Sequence, residues 1–185
     1  MNFNDINTPN ELLDYMINNI TYGFLGTNGK RYDNPDSEEW NDWYDQSFIQ
    51  SGEEVLKSKT GICWDQVELE RLWFSKHNYE FVTVFIWFSV DYVNSYPTHS
   101  FLLYKDNNKW NWFENAFFDC TGIHEYNSKE DAIKSVKDKF MYNALINGWA
   151  KPEDEKYIMT REYNKPKDDL NVQDYLNHVT GCIDS

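Results

Sequence analysis

The chain has 185 residues, 41% hydrophobic and 18% aromatic, which is enough apolar area for one packed domain over 1–185. A formal net charge of −14 at pH 7 disfavours nucleic acid and anionic membrane as partners. There is no apolar run of about 18 residues, and "MNFNDINTPNELLDYM" lacks the basic and apolar regions of a signal peptide. The reading is a cytoplasmic protein, or one exported by a route the sequence does not show, with no transmembrane helix.

"NTPNELLDYMINNI" begins with Thr8, Pro9 and Glu11, a capping box with proline at the first helical position. Leu12, Leu13, Met16, Ile17 and Ile20 then make the apolar side of a helix of about three turns. "YGFLGTNGKRY" is a small hairpin or loop turning at Asn28-Gly29. "DSEEWNDWYDQSF" predicts a helix with Trp40, Trp43, Tyr44 and Phe48 on one side. Ser51 and Glu54 form a second capping box, and Gly61 is the expected stop. The next helix is predicted from about Cys63 to about His77, its apolar side made by Val67, Leu69, Leu72, Trp73 and Phe74 with charges between them.

The period then changes. "YEFVTVFIWFSVDY" is β-branched and aromatic, as a central strand requires. "THSFLLYKDNNKWNWFENAFF" predicts two strands around Asp106-Asn107-Asn108-Lys109, with His124 in a loop after them. Ser128 and Asp131 cap a helix that stops near Gly148. "EKYIMTREYNKP" is a further strand and "NVQDYLNHVTGC" a last short helix or turn. Helices, then antiparallel strands, then helix, strand and helix define an α+β fold.

Cys63, Cys120 and Cys182 are an odd set, so reduced thiols are expected and a catalytic cysteine is worth testing. At the first turn of a helix, Cys63 meets the positive end of the macrodipole and offers its own N–H to a developing oxyanion. A base must stand near it. His77 lies at the far end of the same helix, roughly 20 Å away. His124 and His178 are alternatives by position. His99 opens a strand, which is a rigid mount.

The hairpin supplies a geometric check. With Asn107 and Asn108 as the turn, Asp106 faces Lys109, Lys105 faces Trp110 and Phe101 faces Glu114. His99, Phe101 and Leu103 then share a face with Trp112, Glu114 and Ala116, and Glu114 is the diagonal neighbour of His99 at roughly 5–8 Å. A slip of one residue would replace Glu114 by Asn115 or Asp119. Asp65 suits the helix start electrostatically.

"GICWDQVELERLWF", "THSFLLY" and "KWNWFENAF" together resemble the Cys, His and acid blocks of the transglutaminase-like superfamily. The blocks cover about a third of the chain. The resemblance implies a papain-like core: a helix bearing Cys63 packed on an antiparallel sheet bearing His99 and Glu114. It implies Cys63 as nucleophile, His99 as base and Glu114 as orienter, where the family usually has Asp, and a second oxyanion donor for which Gln50 and Gln66 are candidates by residue type only. The function so implied is acyl transfer from an amide of a peptide or protein to water or an amine, without a cofactor. An inactive fold used for binding or immunity is the alternative. A separate alternative is structural zinc on Cys120, His124, His178 and Cys182.

Overall fold

The computed structural model describes residues 2–34, 37–90 and 97–181, without the side chains of 41–44 and 118. The elements in chain order are α1 (Pro9–Asn19), β1 (Phe24–Leu25), β2 (Arg31–Tyr32), α2 (Trp43–Gln46), α3 (Gly52–Ser58), α4 (Cys63–Lys76), β3 (Glu80–Phe88) and β4 (Thr98–Asp106). They continue with β5 (Lys109–Glu114), β6 (Gly122–Tyr126), α5 (Lys129–Ile146), β7 (Ile158–Tyr163) and α6 (Val172–Thr180). The fold is α+β. Among the described residues no helix is long and apolar enough to cross a membrane.

Local chemistry explains most boundaries. Thr8 with Glu11 and Ser51 with Glu54 make reciprocal capping boxes on α1 and α3, and Ser128 accepts from the Asp131 N–H to start α5. Asn107 and Asn108 both take positive φ, 48° and 63°, which gives the two-residue turn between β4 and β5.

The main sheet is antiparallel in the order β6-β5-β4-β3-β7. Its alternate side chains feed two cores. Val84, Ile86, Phe88, Phe101, Leu103 and Trp112 pack with Ala132, Val136, Phe140 and Ala144 of α5 on one side. Leu102, Tyr104 and Phe113 pack on the other with Leu69, Trp73 and Phe74 of α4 and Leu12 and Met16 of α1. A third cluster joins the start of α4 to α6, where Cys63, Trp64 and Val67 meet Phe85, Val172, Tyr175 and Val179.

Several expectations need correction. The helix expected over 36–48 is a 3-10 turn (Glu38–Asp42) followed by the single turn α2. Ser47 and Phe48 pair instead with Gly26 and Asn171, which draws the chain out of helix. Of its expected apolar side, the side chains of Trp43 and Tyr44 lie outside the described residues. The expected strand over 79–92 ends at Phe88, and positions 91–92 also lie outside them. His124 stands on β6, paired with Trp112, rather than in a loop.

Gly61 does not stop α3; Lys59 takes the left-handed conformation at that end, φ 58°. Gly61 is needed for space, since a Cβ there would sit 2.9 Å from the Asp65 Cβ. The charges of α4 are not all on a wet side either. Asp65, Glu68 and Glu70 are buried, because α3, the sheet and α6 cover this helix on several sides.

Candidate active site

Hairpin register places His99 and Glu114. Asp106 pairs with Lys109, Lys105 with Trp110 and Leu102 with Phe113. Continuing this register sets Phe101 opposite Glu114 and makes Glu114 the diagonal neighbour of His99. The His99 Nε2 lies 2.7 Å from Glu114 Oε2, and both residues are buried.

Glu114 sits at the last position of β5, where the chain turns into a loop. Its Oε2 also accepts from Trp112 Nε1 (3.1 Å), and its Oε1 accepts from the backbone N–H groups of Ala116 and Phe117 (2.7 Å each). Four donors therefore converge on one carboxylate, which is what a buried anion needs. The glutamate length is used here: one oxygen reaches the imidazole while the other stays anchored on the loop amides.

Cys63 is the first residue of α4, so its N–H has no acceptor within the helix. Asp65 builds this helix start. Its Oδ2 accepts from the Ile62 N–H (3.1 Å) and its Oδ1 from the Gln50 N–H (2.9 Å). Burial raises the Asp65 carboxyl to about 7, against the lowering effect of those two N–H bonds.

The two glutamines hold the loop in front of the thiol. Gln50 Nε2 donates to Thr60 O (3.0 Å), and its Oε1 accepts from Ser58 Oγ (2.7 Å). Gln66 is buried rather than outward-pointing; its Nε2 donates to Gly61 O (2.8 Å). The Gln66 Oε1 accepts from Asn115 Nδ2 (2.7 Å), which ties the Cys63 loop to the residue after Glu114.

Three lines of chain thus meet. Cys63 lies close enough to the His99 ring to shift its pKa, and since Nε2 is committed to Glu114, Nδ1 is the nitrogen left to face sulfur. Burial pushes the His99 pKa down, but the Glu114 charge and the neighbouring Cys63 outweigh it and raise it from 6.5 to about 10. His99 is accordingly an imidazolium at neutral pH.

The other histidines are engaged elsewhere. His77 Nδ1 meets Trp73 O (2.9 Å), His124 Nε2 meets Cys120 O (2.7 Å) and His178 Nε2 meets Asn164 O (2.9 Å). Cys182, the fourth member of the zinc alternative, lies outside the described residues. Among the described residues no group of three or more His, Cys, Asp or Glu side chains is placed to hold a metal ion.

No protein-family model and no curated protein matches this chain. The functional reading therefore rests on the geometry of the site.

Two cavities flank the pair. One, of about 240 Å³, is walled by Phe24, Trp40, Ile62 and Trp64 beside Cys63. The other, of about 330 Å³, is walled by Pro97, Ala116, Phe117, Phe140 and Trp149 beside His99. Tyr22 and Thr98 border both. Tyr22 rides on a segment held to the Cys63 loop, with Thr21 N–H to Lys59 O (2.9 Å) and Gly61 N–H to Thr21 O (3.1 Å). Burial first, then the neighbouring Cys63, Asp65 and Glu114, raise its phenol above the usual range.

Tyr22 and Thr98 were not singled out in the sequence, because one opens a loop segment and the other only starts the strand of His99, and neither residue type marks a cavity wall. Glu70 is the other residue that sequence reasoning missed. It is buried two turns along α4 from Cys63, and its Oε2 has no hydrogen-bond partner. Burial first, then the Glu114 charge, push its carboxyl well above the ordinary range.

Proposed function

We propose that this protein is a cysteine acyl-transfer enzyme with a transglutaminase-like, papain-like core, acting on an amide of a peptide or protein. Cys63 is the nucleophile, His99 the acid–base group and Glu114 the residue that orients and charges His99. One observation carries the reading. A buried His99–Glu114 pair at 2.7 Å stands beside a cysteine at a helix N-terminus that is near enough to act on the same imidazole.

The steps follow from these positions. The Cys63 sulfur attacks the carbonyl carbon, and the new oxyanion meets the Cys63 N–H at the positive end of α4. His99 gives its proton to the leaving nitrogen as the C–N bond breaks, leaving a thioester on Cys63. Water or an amine then loses a proton to His99 and attacks the thioester, and the sulfur departs. Glu114 keeps its charge throughout, held by Trp112, Ala116 and Phe117.

Selective alkylation tests this. Iodoacetamide at pH 6–7 is expected to label Cys63 faster than Cys120 and Cys182, read by peptide mass spectrometry. Burial raises the Cys120 thiol, which makes it a slow internal reference. His99→Ala is expected to abolish the difference. Labelling of Cys63 no faster than Cys120 in the folded protein sinks the proposal.

A further inference from the structure

We infer that the cavity walled by Phe24, Trp40, Ile62 and Trp64 is an acyl-group subsite for an uncharged aliphatic or aromatic acyl chain. This rests on the acyl-transfer reading above. Bond making assigns the sides. Sulfur bonds to the acyl carbon, so the acyl chain extends into the space that Cys63 lines. The leaving atom takes its proton from His99, so the leaving group lies in the space that His99 lines. Because Tyr22 and Thr98 border both cavities, these are two arms of one cleft with the Cys63–His99 pair between them.

The lining sets the chemistry. Trp40 meets Phe24 edge-on (5.3 Å) and lies over Tyr22 (6.3 Å), and Trp64 is braced by stacking on Tyr175 (4.7 Å). These rings give a stiff apolar wall. At about 240 Å³ the arm exceeds the roughly 150 Å³ that admits a benzene ring to an apolar cavity. Among the described residues, no Asp, Glu, Lys or Arg side chain lines either arm. A charged acyl tail would be desolvated there without a counter-ion, which costs several kcal/mol.

Activated esters test the inference directly. With a 4-nitrophenyl ester, the S–C bond forms, the ester C–O bond breaks and 4-nitrophenol leaves with the His99 proton. Water then gives a proton to His99 and its oxygen to the acyl carbon, and the C–S bond breaks to restore the thiolate. The substrates are the acetyl, butanoyl, 3-phenylpropanoyl, succinyl and 4-(trimethylammonio)butanoyl esters, each normalised to its reaction with a free thiol. Using both charge signs separates the lining from the net charge of −14.

Acylation of Cys63 is expected to rise at least about tenfold from acetyl to butanoyl and again to 3-phenylpropanoyl. Both charged esters are expected to react at least about tenfold slower than butanoyl. Trp40→Ala should flatten this profile and Trp40→Phe should retain it. Trp149→Ala, in the other arm, should leave it unchanged. A flat wild-type profile, a preference for either charged ester, or a profile that moves with Trp149 instead of Trp40 overturns the subsite. The absence, with every ester, of both a Cys63 adduct and Cys63-dependent release of 4-nitrophenol overturns the acyl-transfer reading itself.

Discussion

Replacing Glu114 by Gln changes one oxygen to an NH2 group, and the surroundings turn that small change into a large one. The carboxylate accepts from His99, Trp112, Ala116 and Phe117. An amide has one acceptor end, so one pair of donors must face N–H2. If that pair is His99 and Trp112, the Trp112 N–H loses its acceptor. The imidazole can stay bonded only by moving its proton to Nδ1, the nitrogen that must receive the thiol proton. If the pair is Ala116 and Phe117, two backbone N–H groups are orphaned.

Each orphaned donor costs about 1–3 kcal/mol, and breaking a buried pair about 3–5 kcal/mol in all. The expected loss of stability for Glu114→Gln is about 3–5 kcal/mol by urea denaturation near pH 6. The sign with pH is fixed. The folded pKa of His99 is about 10 against 6.5 in the unfolded chain, so its stabilisation is fully present below 6.5 and is lost as pH rises through about 10. The difference between wild type and variant should therefore shrink across that window. Without Glu114, burial dominates and the imidazolium is lost at neutral pH, so Cys63 alkylation should fall at least about tenfold at pH 6. Glu114→Asp keeps the charge but shortens the reach by one methylene, and should lie between. A Gln variant that matches wild type in both stability and alkylation refutes the reasoning.

Two further outcomes follow from buried positions on or beside α4. Glu70→Gln should stabilise the protein by about 1–3 kcal/mol at pH 8, because it removes a buried carboxyl with an unpartnered oxygen. The raised folded pKa means that Glu70 costs stability as pH rises above 4.5, so this gain should fade on acidification; a gain that grows toward low pH contradicts the assignment. Gly61→Ala should cost about 1–3 kcal/mol and slow Cys63 alkylation, since the added Cβ meets Asp65 Cβ at 2.9 Å and Gln66 Cγ at 3.4 Å. Unchanged melting and labelling would show that the loop before Cys63 yields freely.

The hairpin register, the N-terminal caps of α1, α3 and α5 and the start of α4 at Cys63 were legible in the sequence. Each depends on a few adjacent residues: a two-residue Asn turn with period-two alternation, a serine or threonine three positions before an acid, or a glycine before an amphipathic run. His99 and Glu114 lie within one hairpin, so their diagonal contact could be counted without knowing the rest of the fold. The remainder needed the tertiary structure. Gln50, Gln66 and Asp65 are committed to the loop before Cys63 by partners up to 49 positions away. Asp65 read as a helix-start charge and Glu68 and Glu70 as charges between apolar positions, yet α3, the sheet and α6 close over all three. Tyr22 joins the site only because a segment near the N-terminus is bonded to the loop before Cys63, whereas Thr98 comes in beside His99 on β4. Local spacing determines register and caps, whereas burial and the walls of a cleft are set by elements distant in the chain.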